Sequence, residues 1–326
     1  MRRREFIAGL GGAAAWPIAA RAQQPAMPVI GFVDLGSAAA NDRAAAFRKG
    51  LNETGYVEGK NVTIEYHWLE GRYEHLPALM TELVGRPVAV IATPASIPAA
   101  QAAKAATSAI PIVFGVGDDP VKLGLVASLS RPEGNATGVN FFVAEVVAKR
   151  LGLLHDLVPA AARIAVVVNP ANAALAEATL RALKKSTGML GLQIQVFEAG
   201  TSREIDAAFA AIARERADAL FVAPDAFFHS CRVQFATLAA RNGIPASYSS
   251  RDYPEVGGLM SYGTDNLDSS RQVGVYAGKI LNGAKPADLP VTQSIRFEFV
   301  INLQTARALG IEVPNAIQLL ADEVIE

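Results

Sequence analysis

Cysteine is almost missing from this sequence: Cys231 stands alone among 326 residues. No disulfide can form within the chain, and no thiol lies near the amino terminus to carry a lipid. Charge of one sign is also missing. Lys and Arg number 30 against 31 Asp and Glu, for a net charge of −1, with no long basic run. Nucleic acid is excluded as a partner, because its phosphates need clustered Lys and Arg. Four histidines, His67, His75, His155 and His229, are scattered without metal-ligand spacing. There is no Gly-Lys-Ser/Thr phosphate loop and no Gly-x-Ser-x-Gly nucleophile turn. Gly115-Val116-Gly117 continues as Asp118-Asp119-Pro120, so the three-glycine dinucleotide fingerprint fails. His229 and Cys231 are two apart, and on a helix such residues point away from each other. Neither a cofactor, a metal nor a catalytic assembly is expected. Long apolar runs are absent too: the uncharged stretch 87–103 is interrupted by Pro87, Pro94 and Pro98.

What is present begins at the amino terminus. Arg2-Arg3-Arg4-Glu5-Phe6-Ile7 precedes an uncharged Ala/Gly-rich run, followed by Ala20-Arg21-Ala22. A basic head, a short weakly apolar middle and a small-x-small end describe a removable export signal over residues 1–22, of twin-arginine-like type. The run falls short of the ~20 apolar residues a membrane span needs. Cleavage near Ala22 would leave a protein free in the periplasm.

With 51% hydrophobic residues, the chain can bury two cores of ordinary size. Short apolar strands alternate with helical segments in two similar series, the pattern of repeated α/β units. Strands are expected at 29–33, 62–67, 88–92 and 112–116, then at 163–168, 192–197, 219–222 and 244–248. The stretch 111–140 closes the first series and crosses into the second. We expect two Rossmann-like lobes with parallel sheets, joined by a three-crossing hinge. The first comprises 28–138 plus 258–285, and the second 139–257 plus 295–312. Segments 258–262 and 266–281 are assigned to the first lobe, and 297–301 to the second.

In parallel sheets a ligand lies beyond the carboxyl ends of the strands, where helix amino termini also point. Those ends carry Asp34, Ser37, Thr93, Ser96, Asp118, Asn169 and Asp225. Each fits two roles, a helix cap worth ~1 kcal/mol or a ligand contact. Several facing one cleft favour a small polar ligand. Asp118 and Asp225 suit an ammonium group, although Asp118 equally suits a turn in Gly-Asp-Asp-Pro. Aromatics lie nearby in sequence: Phe141-Phe142, Phe227-Phe228 and Tyr248. They would give the pocket an apolar wall or simply pack the core.

Several longer motifs sharpen the reading: IGFVDLGS, IATPASIPAAQAAK, PIVFGVGDDPVKLGLVASLSRPEGNATGVN, VVVNPANA, FVAPDAFF, GIPASYSSRDYPEVGGLMSYGTD and INLQTARALGI. From about Val29 to Ile311 the chain resembles the solute-binding proteins of ABC transporters with the type I periplasmic-binding fold. The nearest branch includes tryptophan- and tyrosine-binding members. The resemblance implies a receptor closing on a small amphipathic solute, such as an aromatic amino acid or aromatic acid, and delivering it to an inner-membrane ABC permease as a monomer. It places ligand contacts at Ser37, Thr93, Ser96, Asp118, Asn140, Asn169, Asp225 and Tyr248; from the adjacent Phe pairs, Phe141 and Phe227 are taken as the rings that face the cleft. Ala95 stands where the branch often shows Ser or Thr, which bears on the head group that fits. Two alternatives share the architecture. A ligand sensor is one; a transcription regulator of that kind would need a helix-turn-helix where the export signal stands. A two-cysteine amino-acid racemase is the other, and a single cysteine speaks against it.

Overall fold

The computed structural model describes residues 27–38, 42–141, 143–293 and 296–326. The export signal, Asn41 as a helix cap and Phe142 lie outside the described residues. The first series runs β1 (Val29–Asp34), α1 (Asp42–Asn52), β2 (Thr63–Trp68), α2 (Leu76–Val84), β3 (Val88–Thr93), α3 (Ile97–Ala106), β4 (Ile112–Val116) and β5 (Ala136–Asn140). The second begins with α4 (Val143–Leu157), β6 (Arg163–Val168), α5 (Ala173–Leu190), β7 (Gln193–Glu198), α6 (Ser202–Glu215) and β8 (Ala219–Val222). It continues through α7 (Ala226–Ser230), α8 (Arg232–Arg241), β9 (Ala246–Tyr248), α9 (Asp252–Glu255) and β10 (Met260–Thr264). The tail comprises α10 (Asn266–Leu281), β11 (Thr292–Gln293), β12 (Phe297–Asn302), α11 (Leu303–Ala308), α12 (Asn315–Leu320) and β13 (Glu323–Ile325).

These strands form two sheets. A 6-stranded sheet has the order β11-β5-β4-β3-β1-β2, and a 7-stranded sheet the order β13-β12-β10-β9-β8-β6-β7. The recorded pairings are parallel except β10 with β12. Both orders reverse direction once, between β1 and β3 and between β6 and β8, which opens a crevice at the carboxyl ends of those strands. The buried runs explain the parallel geometry: β4 and β5 are buried at every position, as strands covered on both faces must be.

The segment 258–285, expected wholly in the first lobe, divides. Strand β10 pairs with β9 and β12 in the second sheet, and only α10 crosses back, packing along α1. A buried strand carries no local mark of which sheet it joins; edge pairing decides it. Two further differences follow from pairing. β5 extends the first sheet to Asn140, past the boundary expected at 138. At the other end, β13 pairs with β12 and carries the second sheet to Ile325, beyond 312. The α1–α10 seam is very tight: a Cβ on Gly274 would overlap the Phe47 carbonyl, and one on Gly50 the Arg271 carbonyl. Phe32, Phe47, Val90 and Val273 fill the core beneath this seam, and Phe209, Phe228 and Phe235 fill its counterpart in the second lobe.

Candidate functional site

Asp34 ends β1 at the first lobe's rim, 2% exposed. Arg43, from α1, grips it with two of its nitrogens: Nε donates to Oδ2 at 2.9 Å and Nη2 to Oδ1 at 2.8 Å. The Gly36 amide adds a donor at 2.6 Å. Burial pushes the Asp34 carboxyl up, but the Arg43 charge and these hydrogen bonds outweigh it and hold the pKa below the usual range. The pair is fully satisfied, so it shapes the rim rather than offering a free charge. Further along, Ser96 caps α3 by accepting from the Ala99 amide. Thr93 is wholly buried and its hydroxyl has no partner. Ser37 is half-buried just ahead of α1.

The second lobe answers with Asp225, placed by β8 and Pro224 and 9% exposed. Its Oδ1 caps α7 through the Phe227 and Phe228 amides at 3.0 and 3.2 Å. Asn169 donates to Oδ1 at 3.1 Å and Asn172 to Oδ2 at 3.0 Å. The last donor comes from the other lobe: the Tyr73 hydroxyl reaches Oδ2 at 2.8 Å. Burial, then the adjacent Asp225 charge, push the Tyr73 phenol well up, so it stays a neutral donor. A second crossing contact is apolar: Phe227 packs on Gly71 (φ 78°), leaving no room for a Cβ there. A third is electrostatic, with exposed Arg181 of α5 at 3.8 Å from half-buried Asp118 at the rim.

Between these contacts His229, on α7, faces Arg43 and Asp34 from across the cleft. Its Nδ1 lies 3.6 Å from Asp252 and 3.4 Å from the Ser250 hydroxyl. Burial first, then the Arg43 charge, push the imidazole down to about 4 against the opposing Asp252, so the ring is neutral at pH 7. A cavity of about 50 Å³ remains here, lined by Ala95, Phe141, Leu175, Pro224, Ala226 and Asn266 together with Arg43, Asp225 and His229. That suffices for a few waters. An aromatic solute needs the lobes to part first.

Of the residues singled out in the sequence, the fold brings Asn169, Asp225, Phe227 and Phe141 to one cleft. Thr93 and Ser96 flank Ala95 in its wall. Asp118 sits at the outer rim, where it accepts from the Asp119 amide. Asn140 is buried at the end of β5. Tyr248 is fully buried, stacked on Tyr253 at 4.4 Å with its hydroxyl unpaired. Sequence reasoning missed Tyr73, Arg43, Asn172 and His229. Only Asn172, one turn after the Asn169-Pro170 cap, carried a local signal.

Two parallel α/β lobes closing edge to edge over a buried polar rim define a bilobal ligand-binding protein. The comparisons narrow this. Residues 28–325 match the family model described as ABC transporter substrate binding protein, and the chain belongs to that family. A tyrosine-binding protein of Clostridioides difficile is 30% identical over 274 residues, 83% of this chain and 77% of the relative. Among solved structures, a conserved domain protein of Vibrio cholerae superposes with a TM-score of 0.83 at 29% identity. The ABC domain of Streptococcus pneumonia in complex with L-Trp gives 0.82 at 26%. Both alignments cover 91% of this chain and 99% of the other. A ligand-free, open substrate-binding protein of Clostridium difficile gives 0.62 at 28% identity and equal coverage. More distant sugar-binding and regulator structures, below 25% identity, share the type I periplasmic-binding fold alone.

Proposed function

We propose that this protein binds an aromatic amino acid, tyrosine or tryptophan, between its lobes and hands it to an inner-membrane ABC permease. The observation that carries the reading is the interlobe closure itself. Tyr73, Gly71 and Asp118 of one lobe meet Asp225, Phe227 and Arg181 of the other, so an enclosed solute is sealed by contacts that exist only when the cleft is shut. The printed ligands of the similar proteins, tyrosine and tryptophan, supply the solute class. Phe141, Pro224 and Leu175 provide the apolar wall such a ring requires.

Asn169, Asp225, Phe141 and Phe227 are the contacts the cleft supports most directly. Ser37, Thr93, Ser96, Asp118 and Asn140 complete the rim, and Tyr248 supports the floor from beneath. The lobes of this reading are joined by crossings between β5 and α4, between β10 and α10, and between β11 and β12. Residues 1–22 act as a twin-arginine-type export signal, and the mature protein works in the periplasm as a monomer without catalytic activity. Among the described residues no helix is long and apolar enough to cross a membrane, in keeping with that reading. Calorimetric titration of the exported protein with tyrosine, tryptophan, phenylalanine and a panel of aliphatic amino acids tests it. A micromolar constant, about −8 kcal/mol, is expected for at least one aromatic member. Heat only from the aliphatic members, or from none of the panel, would overturn the reading.

A further inference from the structure

Arg150, in the middle of α4, is 1% exposed and yet has no carboxylate partner among the described residues. Its Nη2 donates to the Val222 carbonyl at 2.8 Å, and the guanidinium carbon lies 3.7 Å from the centre of the Phe221 ring. Nε has no partner among the described residues. Burial pushes this group down to about 9, with only the Tyr253 phenol opposing, so it is still a cation at pH 7. Every other deeply buried charge described here is paired: Arg43 with Asp34, and Asp225 with its ring of donors. A lone buried cation is destabilising unless something anionic joins it. One carbonyl and one ring face do not supply that anion.

The space beside Arg150 leads to the cleft. A cavity of about 40 Å³ is lined by Arg150, Val146, Val147, Gly263 and Thr264, and it shares Phe141, Pro224, Ser249 and Asn266 with the interlobe cavity. Its volume suits a head group of about three heavy atoms, since each water-sized occupant takes ~10–15 Å³. It does not suit a ring. We propose that Arg150 is the carboxylate anchor of the binding site: the solute's carboxylate enters this side chamber and pairs with the guanidinium, while its apolar part stays between the lobes. This deepens the amino-acid reading and rests on it for the ligand's identity, but not for the chemistry of the anchor. The paired geometry of a guanidinium with a carboxylate supplies both strength and orientation. The chamber therefore selects for the acid and against the corresponding amide or amine.

The test uses the exported protein as wild type, Arg150→Met and Arg150→Lys, titrated with tryptophan, tyrosine, their primary amides, tryptamine, and simple aryl-alkanoic acids such as phenylpropionate. Wild type is expected to bind the acid of each pair about 30-fold or more tightly than the amide, because truncating a buried charge pair costs ~2–5 kcal/mol. Arg150→Met should lose that preference, and Arg150→Lys should recover part of it. In wild type the Arg150 Nε–H resonance should shift on adding the acid and stay still on adding the amide. That measurement holds even if the variants fold poorly. The inference is overturned if amide and acid bind alike, if Arg150→Met folds and keeps its preference, or if no carboxylate in the panel binds. If simple aryl acids bind through Arg150 while tryptophan and tyrosine do not, the anchor stands and the amino-acid reading falls. If tryptophan binds equally to wild type and Arg150→Met, the reverse holds.

Discussion

Removing the Tyr73 hydroxyl isolates the polar half of the interlobe latch. Tyr73→Phe keeps the ring but deletes the 2.8 Å bond to Asp225. A hydrogen bond to a charged acceptor contributes about 1.5–3 kcal/mol net. Asp225 retains its other donors, Asn169, Asn172 and the α7 amides, so its carboxylate is not orphaned and the lower half of that range applies. In an open arrangement water replaces the partner on both sides. The substitution therefore acts on closure rather than on either lobe, by about 2 kcal/mol, or roughly 30-fold in the closed-to-open ratio. A ligand held only by the closed form loses affinity by up to that factor. Titration calorimetry gives the constant, small-angle scattering gives the lobe separation, and the melting temperature of the ligand-free protein serves as control. Asp225→Asn is the contrasting variant. It turns an amide nitrogen or a weaker oxygen toward donors within its own lobe, and should lower the melting temperature as well as the affinity. An unchanged affinity for Tyr73→Phe, with an unchanged scattering profile, would refute the latch.

Three other expectations follow from the same geometry. His229 has a folded pKa near 4, below its ordinary 6.5; the folded protein binds fewer protons than the unfolded one between those values, so stability is full above pH 6.5 and declines toward pH 4, by about 3 kcal/mol. His229→Gln should flatten that decline in denaturant titrations at pH 4–7, and an identical slope would exclude His229 as its source. Gly71→Ala places a methyl group against Phe227 at a positive φ, and should weaken ligand binding more than tenfold, equivalent to about 1.4 kcal/mol; binding equal to wild type would show that the loop yields. Gly274→Ala, deep in the α1–α10 seam, should cost about 3 kcal/mol of stability with ligand affinity nearly intact in whatever folds, as measured by urea unfolding.

How far the sequence spoke depended on whether a feature was local. Ile112–Val116 and Ala219–Val222 announce themselves as unbroken apolar runs, and Asn169-Pro170 and Pro224-Asp225 announce caps, because strand burial and capping need only neighbours in the chain. The allegiance of β10 is not written in its own residues: Met260–Thr264 is a short strand mixing Met260 and Tyr262 with Ser261, Gly263 and Thr264, and nothing in that mixture says which sheet receives it. Tyr73 and His229 looked ordinary because the groups they meet, Asp225 for one and Arg43, Ser250 and Asp252 for the other, lie far along the chain. Arg150 did leave a mark. It sits on the same helix face as Val146, Val147, Leu151 and Leu154, all buried, and a lone cation in such a stripe asks for a partner.

The return of α10 to the first lobe fixes the order in which the protein can be completed. Phe32, Phe47 and Val90 find Val273 and Ala277 only when the chain has been made as far as Leu281, by which time most of the second sheet already exists. The amino-terminal half must wait, its apolar face unfinished, for a helix encoded more than two hundred residues downstream of β1. A nascent chain arrested just before that helix would hold two half-built bodies and no whole one, which makes completion of the first lobe a late event.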